Sequence, residues 1–500
     1  MMQLDALNEI TISEIHRRYR DGSLTAVQLV QWYLDRIEAL DRAGPKINAI
    51  ISLNPDILAQ ARACDEALKR SGKLSGPMHG IPVLIKDQGD VLGLPTTMGS
   101  LLFKDFQPQR DAFAIARLRA AGALFLGKTT LGECGAGDTH GSLFGSTSNV
   151  YDTTRTAGGS SGGSGAAISA NFAAVALGQE GFSSIRRPAA WNGIVGMRPS
   201  AGLVSRSGVF GGWPAVNGSL GPMTRTVEDA ARVLHCMVGF DAADPVTARG
   251  VGKFDLADPT QLNRDALKGA RIGVLRQSMG SGSEPDSADF AKVGAVFDAA
   301  IDELRAAGAV VIDPVQIEDL NRLLALRSNS LAEEEGAFAH YLAGVKNPPF
   351  SDRKQAIADP RFAQTFQGVK SRWLKNPTES AHYASMKARE QLLTNLLKTM
   401  AEHQLDAIVH KAVEHQPTRI AEGIAPPYVD QKGASHLNTF VLWVPSIVVP
   451  AGFTSDALPA GITFLGRPYD DARMLHLAYA YEQHTQHRRA PAIRTSHPTA

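Results

Sequence analysis

Gly158-Gly159-Ser160-Ser161-Gly162-Gly163-Ser164-Gly165 begins the stretch on which the fold turns, and Gly181-Phe182-Ser183-Ser184-Ile185-Arg186-Arg187-Pro188 closes it. Clusters of serine and glycine have the composition of loops and linkers. Between them, however, runs Ala166-Ala167-Ile168-Ser169-Ala170-Asn171-Phe172-Ala173-Ala174-Val175-Ala176-Leu177, which is too apolar to remain in water. Its pattern predicts a small-residue helix followed by a short buried strand. The two serine pairs therefore sit in turns at the ends of core backbone, where glycine lets the chain come close to a ligand.

Upstream, Gly80-Ile81-Pro82-Val83-Leu84-Ile85-Lys86-Asp87 is an apolar run of strand length that ends in a charged pair. A lysine at the end of a buried strand must reach water or lose its charge. Successive strand side chains point to opposite faces, so Asp87 is directed away from Lys86. A helix is expected over Asp111 to Ala121 and a strand at Ala123-Leu124-Phe125-Leu126. Strand, helix, strand is the rhythm of an α/β fold with a mostly parallel central sheet covered by helices. The stretch Gly122 to Thr129 also fits the P-loop pattern G-x-x-x-x-G-K-[ST], but a P-loop needs its middle residues in an exposed turn and here they are the strand.

Residues 1–75 read as a helical preface, with Thr25 and Gln28 able to form a capping box and Ser71 to Gly76 breaking the pattern. Ile194 to Gly221 is rich in turn residues and is expected to pack around the same centre. Residues 256–430 change character. Strands are expected at Ala270 to Leu275 and Ala309 to Ile312, and 318–404 is mainly helical and more charged, interrupted at Asn347-Pro348-Pro349 and Asn376-Pro377. This is the candidate for a helical, substrate-facing insertion. Phe440 to Phe464 returns to apolar strands, and Asp470 to His484 makes a closing helix.

The 500 residues are 44% hydrophobic and 20% charged, the composition of a globular protein. With 51 basic and 50 acidic side chains, the chain has no broad cationic field for nucleic acid or an acidic membrane. Its three cysteines, Cys64, Cys134 and Cys236, suggest neither a disulfide framework nor a paired metal motif, so a reducing, cytoplasmic setting is expected. The longest apolar stretch, Phe440 to Phe453, contains two prolines and is too short to span a bilayer. The first twenty residues lack the uninterrupted core of a secretory signal.

Three polar features lie where an α/β core has little reason to put them: Lys86, Ser160/Ser161 and Ser183/Ser184. A serine hydroxyl is a poor nucleophile until a base takes its proton. The histidines considered for that role, His79, His140, His235, His410, His415 and His436, are dispersed. Gly158 to Gly162 matches the G-x-S-x-G elbow, which offers Ser160 as nucleophile with a downstream histidine as base. The elbow needs a strand leading into its serine, yet Thr153-Thr154-Arg155-Thr156-Ala157 is polar, and this reading leaves Lys86 and the second serine pair without a part. A neutral lysine base accounts for all three features, since burial disfavours the ammonium. Cys134 after Glu133 offers a Glu-Lys-Cys site, although a lone buried cysteine is more often inert packing.

Gly80–Asp87 and Gly158–Pro188 together resemble the amidase signature family. The similarity continues through the N-terminal helix, Gly127-Lys128-Thr129, Asn149 to Gly165, Ile194 to Pro199, Gly221 to Ala230 and Val449 to Phe453, and is weak across 256–430. The resemblance implies one amidase domain over 1–500, an α/β fold with a mixed, mostly parallel central sheet and a helical insertion, and a Ser–cis-Ser–Lys triad. It assigns Lys86 as base, Ser160 as the relay serine preceded by a cis peptide, and Ser184 as nucleophile. It places the oxyanion hole at the backbone N–H groups of Gly181, Phe182, Ser183 and Ser184, with Ser161 and Arg186 in support. It implies acyl transfer from a small-molecule amide or carbamate, with no cofactor, metal, nucleic acid or membrane, and is compatible with a homodimer.

Where the family commonly has Thr-Asp-x-Gly-Gly-Ser, this chain has Gln179-Glu180-Gly181-Phe182-Ser183-Ser184. Met197-Arg198-Pro199-Ser200 and His410 to His415 also depart from the usual residues, which implies an unusual substrate. The alternatives are a carbamate (urethane) or ester hydrolase with the same triad, the glutaminase subunit of a tRNA-dependent amidotransferase, which would need partner proteins, and a P-loop-like nucleotide-binding protein.

Overall fold

The apolar runs form strands that the chain threads through a single sheet. The computed structural model describes residues 6–211, 218–328, 331–343, 345–375 and 377–493. Residues 1–5 of the expected preface, 212–217 of the turn-rich stretch and Asn376 of the expected helix break lie outside the described residues. The strands are β1 (Ile50–Leu53), β2 (Pro82–Lys86), β3 (Leu124–Thr129), β4 (Val175–Glu180), β5 (Val195–Arg198), β6 (Ser219–Thr224), β7 (Arg271–Leu275), β8 (Val310–Val315), β9 (Ala407–Lys411), β10 (Ser446–Phe453) and β11 (Pro459–Leu465). Their order across the sheet is β1-β3-β2-β4-β6-β5-β10-β11-β9-β7-β8.

The sheet is mixed, as expected, but it is not mostly parallel: among the described residues six of its ten pairings are antiparallel and four are parallel, because hairpin-like returns rather than helical crossovers join its middle strands. Its parallel pairings form two blocks, β3-β2-β4 and β9-β7-β8. The junctions between the blocks, and the edge pairing of β1 with β3, are antiparallel. The short loop 454–458 between β10 and β11 permits only an antiparallel hairpin, because a parallel return needs a long crossover. Strands β2, β3, β4 and β6 are buried along their whole length. Near-continuous apolar sequence, rather than alternation, is what that burial requires.

Residues 6–75 contain α1 (Ile12–Asp21), α2 (Ala26–Ile37), α3 (Ile57–Ser71) and the edge strand β1. The capping box forms at the start of α2, where Thr25 Oγ1 accepts from the Gln28 N–H at 3.1 Å and Gln28 Oε1 from the Thr25 N–H at 2.9 Å. Helix α4 (Phe113–Ala120) carries the crossover between β2 and β3. The small-residue helix is α5 (Gly162–Ser169), buried throughout. It lies so close to the end of β3 that a Cβ on Gly163 would stand 2.3 Å from Thr130 Oγ1. α6 (Arg186–Trp191) follows the second serine turn.

A helical layer, Leu331–Leu342, Arg353–Ala358, Gln367–Trp373 and Glu379–Glu402, stands over one side of the molecule. Phe338, Phe350, Phe362 and Trp373 pack there against Phe103, Phe106 and Phe210 from the loops after β2 and β5. The break at Asn347-Pro348-Pro349 falls between two of these helices. Two serine turns and the ends of β2 and β4 thus face a space roofed by helices.

Candidate active site

Lys86 is the last residue of β2 and is fully buried. Its Nζ lies 2.7 Å from Ser160 Oγ and 3.2 Å from the Gln179 carbonyl oxygen, and Ser160 Oγ lies 3.0 Å from Ser184 Oγ. Burial pushes the Lys86 ammonium well below the usual lysine range; the nearby Glu180 carboxylate opposes the shift and the Arg187 guanidinium adds to it. An amine that is neutral at working pH has a lone pair to take a proton. Asp87 faces the other way. It pairs with Lys128 Nζ at 2.9 Å and accepts from the Thr97 N–H at 3.1 Å and from the Thr97 hydroxyl.

Both serine turns are tied together. The peptide bond between Gly159 and Ser160 is cis. The Ser161 N–H donates to the Ser184 carbonyl at 3.1 Å, and Ser161 Oγ donates to the Gln179 carbonyl at 3.3 Å while accepting from the Gln179 N–H at 3.2 Å. A Cβ on Gly159 would stand 2.4 Å from the Gly137 carbonyl oxygen, so only glycine fits beside that loop. The second turn closes on Glu180 at the end of β4. One carboxylate oxygen accepts from the N–H groups of Ile185 and Arg186 at 2.9 and 3.0 Å, and the other accepts from Arg186 Nε at 2.7 Å. Arg186 also donates to the Phe182 carbonyl at 2.9 Å. This arrangement leaves the N–H groups of Gly181, Phe182, Ser183 and Ser184 without a hydrogen-bond acceptor among the described residues. Unbonded backbone donors beside a serine hydroxyl are suited to a developing oxyanion.

Phe182 stands at the rim. Its ring stacks on His436, with centroids 5.3 Å apart and planes 10° from parallel, and the Arg327 guanidinium lies 4.4 Å from its centroid. Phe182, Ser184, Cys134, Asp138, Arg327 and Phe366 are among the walls of a cavity of about 700 Å³. Helices of the roofing layer close its far side.

The competing readings fare differently. Residues leading into Ser160 make only isolated bridges, at Thr156 and Arg155, and no strand. No histidine among the described residues hydrogen-bonds to Ser160 or Ser184, and burial holds His410 at about 3 and His436 at about 4. Residues 124–129 are the buried strand β3, and Lys128 donates to the Pro95 carbonyl and Thr96 Oγ1 as well as Asp87. Burial pushes the Cys134 thiol well above the usual cysteine range, which disfavours the thiolate. Among the described residues no group of three or more His, Cys, Asp or Glu could hold a metal ion.

Sequence reasoning passed over Glu180, Arg187, Gln179 and Asp138. Glu180 carried a signal: an acid at the end of a buried strand needs a partner, and two arginines follow the serine pair. Asp138 carried none, since its neighbour in space is distant in sequence.

A family model described as Amidase matches residues 28–475. The chain belongs to the amidase signature family. It is 32% identical to the A subunit of the Glutamyl-tRNA(Gln) amidotransferase of Thermosynechococcus vestitus, over 96% of this chain and 99% of that protein. The native peptide amidase of Stenotrophomonas maltophilia superposes with a TM-score of 0.86 at 34% identity, covering 98% of this chain and 100% of that one. An amidase family protein from Bacillus anthracis gives 0.82 at 27% identity, covering 98% and 94%. This amidase is therefore a hydrolase of the amidase signature type. No helix among its described residues is long and apolar enough to cross a membrane.

Proposed function

We propose that this amidase cleaves a carboxylic amide through an acyl-enzyme on Ser184, with Ser160 as relay and Lys86 as base. The observation that carries the reading is the unbroken chain from Lys86 Nζ through Ser160 Oγ to Ser184 Oγ, ending beside backbone amides with no acceptor among the described residues. As Ser184 Oγ attacks the carbonyl carbon, its proton passes to Ser160, whose own proton passes to neutral Lys86. The amides of Gly181 to Ser184 hold the oxyanion without reorganising. Collapse breaks the C–N bond, and the proton on Lys86 returns through Ser160 to the leaving amine. Water then hydrolyses the ester along the same relay.

The substrate proposed is a peptide-sized carboxamide. A cavity of about 700 Å³ is in the range that encloses such a molecule, and the peptide amidase is similar over nearly the whole chain. Carbamates and esters undergo the same acyl chemistry. The near-balanced charge and three free cysteines support a cytoplasmic enzyme acting on small molecules. A second reading, the glutaminase component of a tRNA-dependent amidotransferase, is favoured by the name of the relative at 32% identity.

Assaying the isolated chain against a C-terminally amidated peptide, L-glutamine, an aryl amide and an aryl carbamate separates the readings. Release of ammonia from the peptide amide at the highest kcat/KM is expected. Glutamine hydrolysis that appears only when the partner proteins of an amidotransferase are added would favour the second reading.

A further inference from the structure

Arg187 and Asp138 form an ion pair with 2.8 Å between Nη2 and Oδ1, each side chain 1% exposed. The pair lies against the relay turn. Arg187 Nη2 donates to the Gly159 carbonyl at 2.7 Å and its Nε at 3.1 Å, so both bonds converge on the peptide that carries Ser160. Nη2 also reaches the Gly137 carbonyl at 3.4 Å. Its hydrogens are directed at carbonyls, so its 2.8 Å contact with Asp138 is not an aligned hydrogen bond. The Asp138 pairing is thus mainly electrostatic. On the other side, the Thr139 N–H and hydroxyl donate to the Gly158 carbonyl at 3.0 and 2.7 Å, laying loop 137–139 along the turn.

We propose that Arg187 and Asp138 are a charge-tuned clamp on the relay serine: Arg187 holds the Gly159 carbonyl and with it the Ser160 hydroxyl, while Asp138 governs how much of the guanidinium charge acts on Lys86. The inference rests on the Lys86–Ser160–Ser184 reading of the site. Arg187 is a positioning residue, since it touches the peptide before Ser160 and none of the reacting atoms.

Among the described residues, few charges surround the clamp. Lys86 is faced by Glu180, which Arg186 neutralises at 2.7 Å, and by Arg187. Arg187 adds to the shift that keeps Lys86 neutral. Asp138 is faced by Arg187 and by Asp430, whose carboxylate accepts the Asp138 N–H at 2.6 Å. Burial and Asp430 push the Asp138 carboxyl up, and Arg187 and the Gln431 backbone N–H pull it down. His140, two residues on, is held at about 4 by burial and contributes no charge near neutrality.

The test reads the second-order rate of labelling by an alkyl fluorophosphonate against pH, in the full-length enzyme, with thermal melts to verify folding. Wild type is expected to label at Ser184 with an acid limb set by Lys86. Asp138→Asn, which keeps shape and removes charge, moves that limb to lower pH, and Arg187→Met moves it to higher pH, each by about one pH unit. Arg187→Lys keeps the charge but not the two converging bonds, so labelling slows by about tenfold while the limb stays in place. A structural role alone would slow labelling without opposite shifts. Limbs that coincide with wild type, or that move in the same direction in Asp138→Asn and Arg187→Met, overturn the clamp. If Arg187→Met does not fold, an Asp138→Asn limb that is unmoved or shifted to higher pH overturns it alone. Absence of label at Ser184 in wild type overturns instead the reading of the site.

Discussion

Lys86 carries two opposed demands. The fold hides it completely, and the proposed chemistry needs its lone pair. Burial serves both, because a neutral amine is the form that a dry interior tolerates. The sign of the stability effect follows. Between the depressed value of Lys86 in the folded protein and the usual lysine value of 10.5, the unfolded chain binds a proton that the folded one does not, so stability rises with pH across that window. Lys86→Met is therefore expected to melt higher than wild type at pH 6, with the gap narrowing at pH 10, while turnover falls by about 10²–10⁴-fold. A gap that is constant or widens with pH would contradict a buried neutral lysine. Phe182 poses a different question at the same scale. The proposed hole uses its backbone N–H, and its ring contacts His436 and Arg327 rather than the serines. Phe182→Gly is expected to keep fluorophosphonate labelling within about tenfold of wild type, against the 10²–10³-fold loss typical of a deleted oxyanion donor. A loss of that larger size would show that the ring holds the turn in shape.

Elements place these residues by two kinds of rule, and only one is local. The capping box of α2, the small-residue helix α5 and the buried strands β2, β3 and β4 were legible because spacing and composition within ten or fifteen residues determine them. The same locality exposed the P-loop match as a strand, since Leu124 to Leu126 are too apolar for an exposed turn. What Lys128 does was not legible. It leaves β3 to neutralise Asp87 at the end of β2, both side chains at 0% exposure. Lys128→Ala is expected to leave nucleotide binding undetectable, as in wild type, and to destabilise the fold by about 3–5 kcal/mol, because a buried carboxylate loses its counter-charge. Urea denaturation of both proteins measures it. The turn after β4 shows the same limit. Its glycine and serine content announced a turn, but the Glu180 carboxylate that closes it, and leaves the Gly181 to Ser184 amides without an acceptor among the described residues, emerges only from the three-dimensional arrangement.

Across the whole molecule, the strand order could not be read from the chain. Residues 256–430, expected to be a variable region, supply β7, β8 and β9, one of the two parallel blocks, as well as the helices that roof the cavity. Pairing β9 with β11 and β7 depends on partners far away in sequence, and no local pattern encodes it. The roof is where sequence said least. Its aromatic core of Phe338, Phe350, Phe362 and Trp373 fixes helices over the site, while polar side chains such as Arg327 and Arg372 line the cavity. The two serine turns were readable because the backbone demands on them are severe. In the proposed mechanism their serines divide the work, Ser184 attacking and Ser160 relaying to Lys86. Mapping the site of an alkyl fluorophosphonate adduct by peptide mass spectrometry distinguishes the two serines. The adduct is expected on Ser184, absent in Ser184→Ala and slowed by at least about 10²-fold in Lys86→Ala; an adduct on Ser160 with Ser184 unmodified would make Ser160 the nucleophile instead.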